Sequence, residues 1–233
     1  MLEQIADDIW TAPAPLRFVG LHLNTRMTVC RLPDEGLVLI APVQATEHLM
    51  GSIDALGPVQ AIVAPNLMHH LYVGAWMEAY PDAQSFGAPG LASKRPDLTF
   101  THELGPAFDD AFDGELLRFP IEGMPKLNES LFLHRQSATL IATDFCFFMP
   151  EATGLTGLFA SVMGIKDATR CEPIFRALIK DKAAFRAALH PLRTMEVRHL
   201  SMCHHSVLSV GASEALRGVL DQLKVPSSVG GDD

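Results

Sequence analysis

The stretch Val59-Gln-Ala-Ile-Val-Ala-Pro-Asn-Leu-Met-His-His-Leu-Tyr-Val-Gly74 carries the decision about the fold. It opens as a short apolar run over residues 61–64. Pro65-Asn66 ends that run, because proline lacks the amide hydrogen that a strand ladder needs. Val73, Trp76, Met77 and Tyr80 then recur at i, i+3, i+4 and i+7, which predicts a helix over 69–80. A strand therefore turns into a helix at His69-His70. In an open α/β sheet such a turn lies at the carboxyl end of a strand, where ligands bind. Two adjacent imidazoles there are candidate metal ligands or proton-transfer groups.

Upstream of this unit, residues 9–10, 18–32 and 37–41 read as strands, with Pro33-Asp34-Glu35-Gly36 as a turn. Leu49, Met50, Ile53 and Leu56 form one helix face, with Thr46 as its N-cap and Gly57-Pro58 as its stop. Downstream, a short strand is expected over 84–86. Residues 87–113, rich in Pro, Gly and Asp and without a clear period, read as a long surface loop. Three strands follow, over 115–119, 130–134 and 139–143, the last two joined by the hairpin 135–138. Past Asp144 helices dominate: 174–179, the stripe Phe185, Ala188, Leu189 and Leu192, and a last helix with Leu216, Val219, Leu220 and Leu223 on one face. Between them a strand over 198–202 leads into Cys203-His204-His205. The apolar, glycine-rich segment 145–164 fits a core segment, a pocket wall or a dimer face. This order predicts an α/β (α+β) fold of two sheets with helices on their outer faces, a four-layer αββα sandwich. It is expected to form a single domain over 1–225, with a flexible tail over 226–233.

The 233 residues, 48% of them hydrophobic, are enough to bury a full core. Eighteen basic against 27 acidic residues give a net charge of -9, with no Lys/Arg run, which argues against nucleic acid as a partner. No uninterrupted apolar segment approaches the ~20 residues of a membrane helix, and the acidic N-terminus lacks an export signal. Cysteines at 30, 146, 171 and 203 are too far apart for a paired zinc or redox motif. The expectation is a cytoplasmic protein with free, buried thiols, of which Cys203, beside His204, is the one to watch as a ligand.

Nucleophile-elbow, Walker A and dinucleotide fingerprints are absent from the sequence. What stands out is a pattern of strand ends. His69-His70 follow one strand, Asp144 follows Thr139-Leu-Ile-Ala-Thr143, and His204-His205 follow His199-Leu-Ser-Met202. A metal site at a sheet edge needs ligands converging in this way from rigid elements. Plainer readings stand beside this one: helix caps for His69 and Asp144, a solvated loop pair for His204-His205, and an exposed glutamate at Glu129.

On these residues the sequence resembles an uncharacterised, divergent branch of the metallo-β-lactamase-fold hydrolases. The carriers are Leu37-Val-Leu-Ile-Ala-Pro42, Ile62-Val-Ala-Pro-Asn66 with His69-His70, Asn128-Glu129, Leu140-Ile-Ala-Thr-Asp144 and Cys203-His204-His205, so the likeness spans roughly residues 5–224. The family's HxHxDH motif is only half kept. Its Asp-His positions fall on His69 and His70, but its first two histidines fall on Pro65 and Leu67, and no histidine stands in 121–125. The bridging aspartate matches Asp144 and the final histidine His204, with His205 next to it.

The resemblance thus implies one divalent transition metal (Zn, Fe or Mn) in the second of the family's two sites, held by His69, His70, Asp144 and His204 or His205. Four protein ligands would close a tetrahedral zinc site, whereas iron or manganese could still take water, or one of the two adjacent histidines stands outside the shell. Glu129 and Glu122 are candidate general bases, and Asn66 and Asn128 candidate binding residues. The function implied is a metal-dependent hydrolase acting on a small-molecule substrate, with a homodimer as a further expectation. The alternative is a catalytically inactive binding or sensing module that keeps the fold.

Overall fold

The computed structural model describes residues 1–227. The first half of the chain runs β1 (Glu3–Ala6), β2 (Ile9–Ala14), β3 (Arg17–Phe18), β4 (Leu21–His22), β5 (Thr25–Arg31), β6 (Leu37–Ile40), α1 (Glu47–Asp54), β7 (Val59–Ala64), α2 (Val73–Ala79), β8 (Gln84–Gly87), α3 (Leu91–Lys94), β9 (His102–Glu103) and α4 (Pro106–Ala111). The second half runs β10 (Leu116–Pro120), β11 (Ser130–His134), β12 (Thr139–Ala142), α5 (Gly154–Met163), α6 (Pro173–Ala177), α7 (Lys182–Leu189), β13 (His199–Met202), β14 (Val207–Leu208) and α8 (Ala212–Gln222). A 3-10 turn, His190–Thr194, follows α7.

Two sheets result. One has seven strands in the order β1-β2-β5-β6-β7-β8-β9, and the other five in the order β10-β11-β12-β13-β14. The pairs β6–β7, β7–β8, β8–β9 and β12–β13 are parallel. Strand alternation sorts the apolar side chains into three layers. Leu37, Leu39, Ile62 and Ala64 pack outward against Leu49 and Ile53 of α1 and Val73 and Trp76 of α2. Val38, Ile40, Ala61 and Val63 point the other way and meet Phe132 and Ile141 of the second sheet. On that sheet's far face Leu131, Leu133, Leu140 and Leu200 pack on Phe185 of α7 and Leu216, Val219 and Leu220 of α8. The chain is therefore the four-layer αββα sandwich, and Thr28 of β5 and Ser201 of β13 hydrogen-bond directly across the sheet interface at 3.1 Å.

The structure departs from the sequence expectation in three places. The predicted strand over 18–32 is broken, because Val19, Gly20 and Asn24 take positive φ and fold 17–22 into a separate hairpin, β3–β4. The helix expected from residue 69 begins at Val73. Residues 67–72 form tight turns instead, because the Asn66 side chain takes up the Met68 and His69 amides. The expected loop 87–113 holds α3, β9 and α4, with Leu104, Phe108 and Phe112 buried. Phe108 and Phe112 both meet Phe86 edge-on. Helices of four and six residues are too short to show a 3.6-residue period, so composition misled there. Of the expected tail, residues 228–233 lie outside the described residues.

Candidate metal centre

Three strands of the two sheets deliver the candidate ligands from their carboxyl ends. β7 ends at Ala64, β12 at Ala142 and β13 at Met202, and each is followed by an irregular segment. These segments carry His69, Asp144 and His204 to one place. His69 Nε2 lies 3.3 Å from Asp144 Oδ2, and His204 Nε2 lies 3.4 Å from Asp144 Oδ1. One donor atom from each of the three residues falls within 4.8 Å of the others. The side chains are 10%, 18% and 6% exposed respectively, so the centre is nearly dry yet touches solvent at Asp144.

Each ligand candidate is held from behind. His204 Nδ1 donates to the Asn24 carbonyl at 2.7 Å. His69 Nδ1 lies 3.2 Å from Cys203 Sγ, whose own thiol proton goes to the Arg26 carbonyl at 3.1 Å. The sulfur is then an acceptor for the Nδ1 proton, with Thr25 Oγ1 at 3.3 Å as a further partner. Both rings so keep Nε2 directed at Asp144. Asn66 Nδ2 donates to Asp144 Oδ2 at 2.8 Å and to Thr143 Oγ1 at 2.9 Å. The same amide's oxygen takes the Met68 and His69 N–H groups, so Asn66 ties the His69 turn to the Asp144 loop. Phe147 stacks on the His204 ring at 5.2 Å and 8° and shields one face of it.

Not every residue expected at the centre is there. His70 is outside it. Its Nδ1 lies 3.2 Å from Arg95 Nη1, which also donates to the His70 carbonyl. The residue after His69 in a tight turn points away from its neighbour, so the two imidazoles cannot share a centre in this geometry. His205 is outside it too: it sits at φ 66 in the turn that follows β13, and its Nε2 donates to the His22 carbonyl at 2.9 Å. Glu122 is exposed on the loop after β10. Asn128, at φ 48, donates to the Pro89 carbonyl at 2.9 Å. Glu129 is close but turned to the protein interior, where its carboxylate accepts from Thr143 N, Thr143 Oγ1, Asp144 N and Phe145 N. The sequence signalled Cys203 only as a ligand, whereas the structure uses its sulfur to orient one. The Asn24 carbonyl and Phe147 carried no sequence signal, since a backbone acceptor leaves no mark on residue type and a stacked ring looks like core.

The charges follow from this packing. Burial disfavours the charged form of both histidines, yet Cys203 and Asp144 beside His69, and the Asp144 bond to His204, outweigh it and hold both imidazole pKa values above the ordinary range. Burial likewise pushes Asp144 up, but the two imidazoles overcome it and pull the carboxyl well below the usual carboxylate range. Glu129 is pushed up to about 7 by burial and by the neighbouring Asp144, against the pull of its Thr143 donors. Two imidazoles facing one carboxylate could equally hold a cation. The donor chemistry fits that cation. Two imidazole nitrogens and a carboxylate suit a borderline divalent metal. Bonds of about 2.1 Å in a tetrahedral shell place neighbouring donors about 3.4 Å apart, and the two histidine–aspartate spacings, each to a different Asp144 oxygen, lie near that.

A cleft of about 470 Å³, lined by Gly20, His22, Asn24, Ala152, Thr156 and His205 among others, abuts the segments that hold His204. A larger depression of about 590 Å³ at Arg198, His199 and Arg217 lies at the start of β13, the strand end opposite the centre.

The arrangement defines a class. The αββα sandwich is that of the metallo-β-lactamase fold: a metallo-beta-lactamase from Pontibacter korlensis superposes with a TM-score of 0.62 at 13% identity, covering 95% of this chain and 98% of that one. The metallo-beta-lactamase FIM-1 from Pseudomonas aeruginosa, in its mono-zinc form, gives 0.61 at 11% identity, over 97% and 96%. A metallo-beta-lactamase from Erythrobacter litoralis gives 0.60 at 14%, over 95% and 96%. At these identities the likeness is one of fold alone. No curated protein matches the chain significantly. Within that fold the chain belongs to DUF4336, a domain family of unknown function whose model matches residues 6–156. Among the described residues no helix is long and apolar enough to cross a membrane.

Proposed function

We propose that this protein is a metal-dependent hydrolase with a reduced, single-metal centre in which His69, Asp144 and His204 hold one divalent transition metal, zinc, iron or manganese. One observation carries the reading. Both imidazoles turn Nε2 toward the same carboxylate, and each has its other nitrogen engaged by a group that fixes its orientation, as metal-bound histidines do. When bound, the metal would supply Lewis acidity and an activated water. Three protein ligands leave a coordination position open, which a closed four-ligand zinc site would lack. Pro65 and Leu67 stand where a first metal would need histidines, which supports one metal rather than two.

The chain's own residues do the orienting. Cys203 and Asn24 aim the two rings, Asn66 holds Asp144, and Phe147 excludes water from one face of His204. Glu129, with its oxygens taken by the 143–145 loop, is read here as a holder of that loop rather than a base. The cleft beside Asn24 and His205 is the place for a small-molecule substrate. Four free, buried cysteines agree with a reducing, cytoplasmic setting. The middle core layer joins residues of both halves, from Ile9 to Cys203, in keeping with one domain. A homodimer would use α5, which exposes Leu155, Leu158 and Val162.

The test is metal content of the untagged protein by inductively coupled plasma mass spectrometry, with His69→Ala and Asp144→Ala alongside. About one equivalent, lost in both variants, is expected, and ester, thioester, lactone and phosphoester substrates are then screened. Two equivalents would overturn the single-metal assignment. A bound metal with no exchangeable water would favour the binding or sensing module, the reading that the missing first-site histidines support.

A further inference from the structure

Glu129 immediately precedes β11 and is 1% exposed. Its Oε1 accepts from Thr143 N at 2.8 Å, Thr143 Oγ1 at 2.7 Å and Phe145 N at 3.3 Å. Asp144 N lies 3.1 Å from Oε1 and 3.2 Å from Oε2. All four groups are neutral donors. Among the described residues no lysine or arginine forms an ion pair with Glu129 or Asp144, and Asp144 pairs only with His69 and His204. Two carboxylates therefore stand one behind the other in the interior. Adjacent buried negative charges are costly unless a cation sits beside them. With neutral imidazoles, one divalent cation among His69, Asp144 and His204 brings the group to zero net charge. One carboxylate alone would leave the same ion uncompensated by one unit.

We propose that Glu129 is a positioning residue whose negative charge, held behind the Asp144 loop, sets the affinity of the centre for a divalent cation. The inference rests on the metal-centre reading above and goes beyond it, because Glu129 touches neither the ligand atoms nor the substrate cleft. Its hydrogen bonds and its charge are separable. Oε1 takes three of the four donors outright and is also the nearer oxygen to Asp144 N. A glutamine with its amide oxygen at that position keeps the Thr143 and Phe145 donors bonded and removes the charge, while its NH2 replaces the oxygen 3.2 Å from Asp144 N.

The experiment titrates Zn²⁺ into the full chain, stripped with chelator, at about pH 8.5, where Glu129 is ionised, by competition with a chromophoric chelator, and records the melting temperature of each stripped protein. Glu129→Gln is expected to weaken Zn²⁺ binding by about 10- to 100-fold, the range typical of groups that support metal ligands. Its stripped form should keep most of the wild-type melting temperature, because three of the four loop donors still bond to the amide oxygen. Glu129→Ala should lower both quantities, because it loses the hydrogen bonds as well. A purely structural role moves affinity and stripped-state stability together, so a loss of affinity without a matching loss of stripped-state stability in Glu129→Gln is the signature. Unchanged Zn²⁺ affinity in Glu129→Gln, or a loss paralleled by a fall in melting temperature, overturns the proposal and leaves the metal centre standing. A wild-type protein that binds no Zn²⁺, Mn²⁺ or Fe²⁺ overturns both together.

Discussion

At the residue scale the centre depends on side chains that bridge loops. Asn66 accepts two amides of the His69 turn and donates to Asp144 and Thr143, so a single amide sets the distance between two candidate ligands. Asn66→Ala is expected to weaken divalent-metal binding by about 10- to 100-fold, measured by chelator competition. Equal affinity would remove Asn66 from the supporting set. A second residue-scale expectation concerns pH. His134 is fully buried, with Nδ1 2.8 Å from Ser137 Oγ, and burial holds its pKa below the ordinary imidazole value. Above about pH 6.5 the ring is neutral in both folded and unfolded chains and adds no pH dependence. As pH falls below that, the unfolded chain takes up the proton first, so stability drops until the lowered folded pKa is reached. Protonation of His134 should therefore lower the urea midpoint between pH 7 and pH 5, opposed by His69 and His204, whose raised pKa values favour the folded chain as pH falls, and His134→Gln should remove that downward contribution. An identical slope in the variant would show that other groups carry it.

At the scale of elements, local signals were legible wherever a run was long enough. Thr46 caps α1 as its residue type indicates, with Oγ1 accepting from Leu49 N at 3.2 Å. Thr46→Ala should lower unfolding free energy by about 1 kcal/mol in urea titrations. The loop after β10 carries a less visible constraint. Gly123 sits at φ +76, its carbonyl accepts from Lys180 N and Asp181 N at the start of α7, and an added Cβ would lie 2.2 Å from the Asp181 carbonyl oxygen. Gly123→Ala combines a left-handed backbone with a backbone clash, and a loss of about 1–3 kcal/mol is expected by the same measurement. A smaller loss would mean that the loop and α7 separate cheaply. The short helices α3 and α4 were illegible because their formation is decided by what they cover. Phe108 of α4 is buried against Phe86 and Phe132, contacts that no local window contains.

At the scale of the molecule, the interface between the sheets is where the two halves of the chain depend on each other. Phe132 of the second sheet is 1% exposed and meets Phe108, from the first half of the chain, at 5.3 Å and 67°. Phe132→Ala should destabilise the protein by about 3–5 kcal/mol, read as a shifted urea midpoint. If the two sheets unfolded independently, separate transitions would appear, contrary to the shared middle layer. The same interface brings the carboxyl ends of β7, β12 and β13 to one edge, so integrity of the core and geometry of the centre are linked.

By itself the sequence determined the apolar periodicities, and with them most strands and longer helices, the αββα order and the three strand ends at which ligand-type residues stand. Those features are local, because alternation, capping and chain breaking act within a few residues. Only the tertiary structure decided which members of the pairs His69-His70 and His204-His205 face Asp144. It also turned Glu129 inward beneath the Asp144 loop and set Cys203 and Asn24 behind the rings. Neighbouring residues in a tight turn differ by the direction of one side chain. That direction is fixed by partners distant in sequence, the Cys203 sulfur for His69 and the Asn24 carbonyl for His204, which meet them only when the sheets pack.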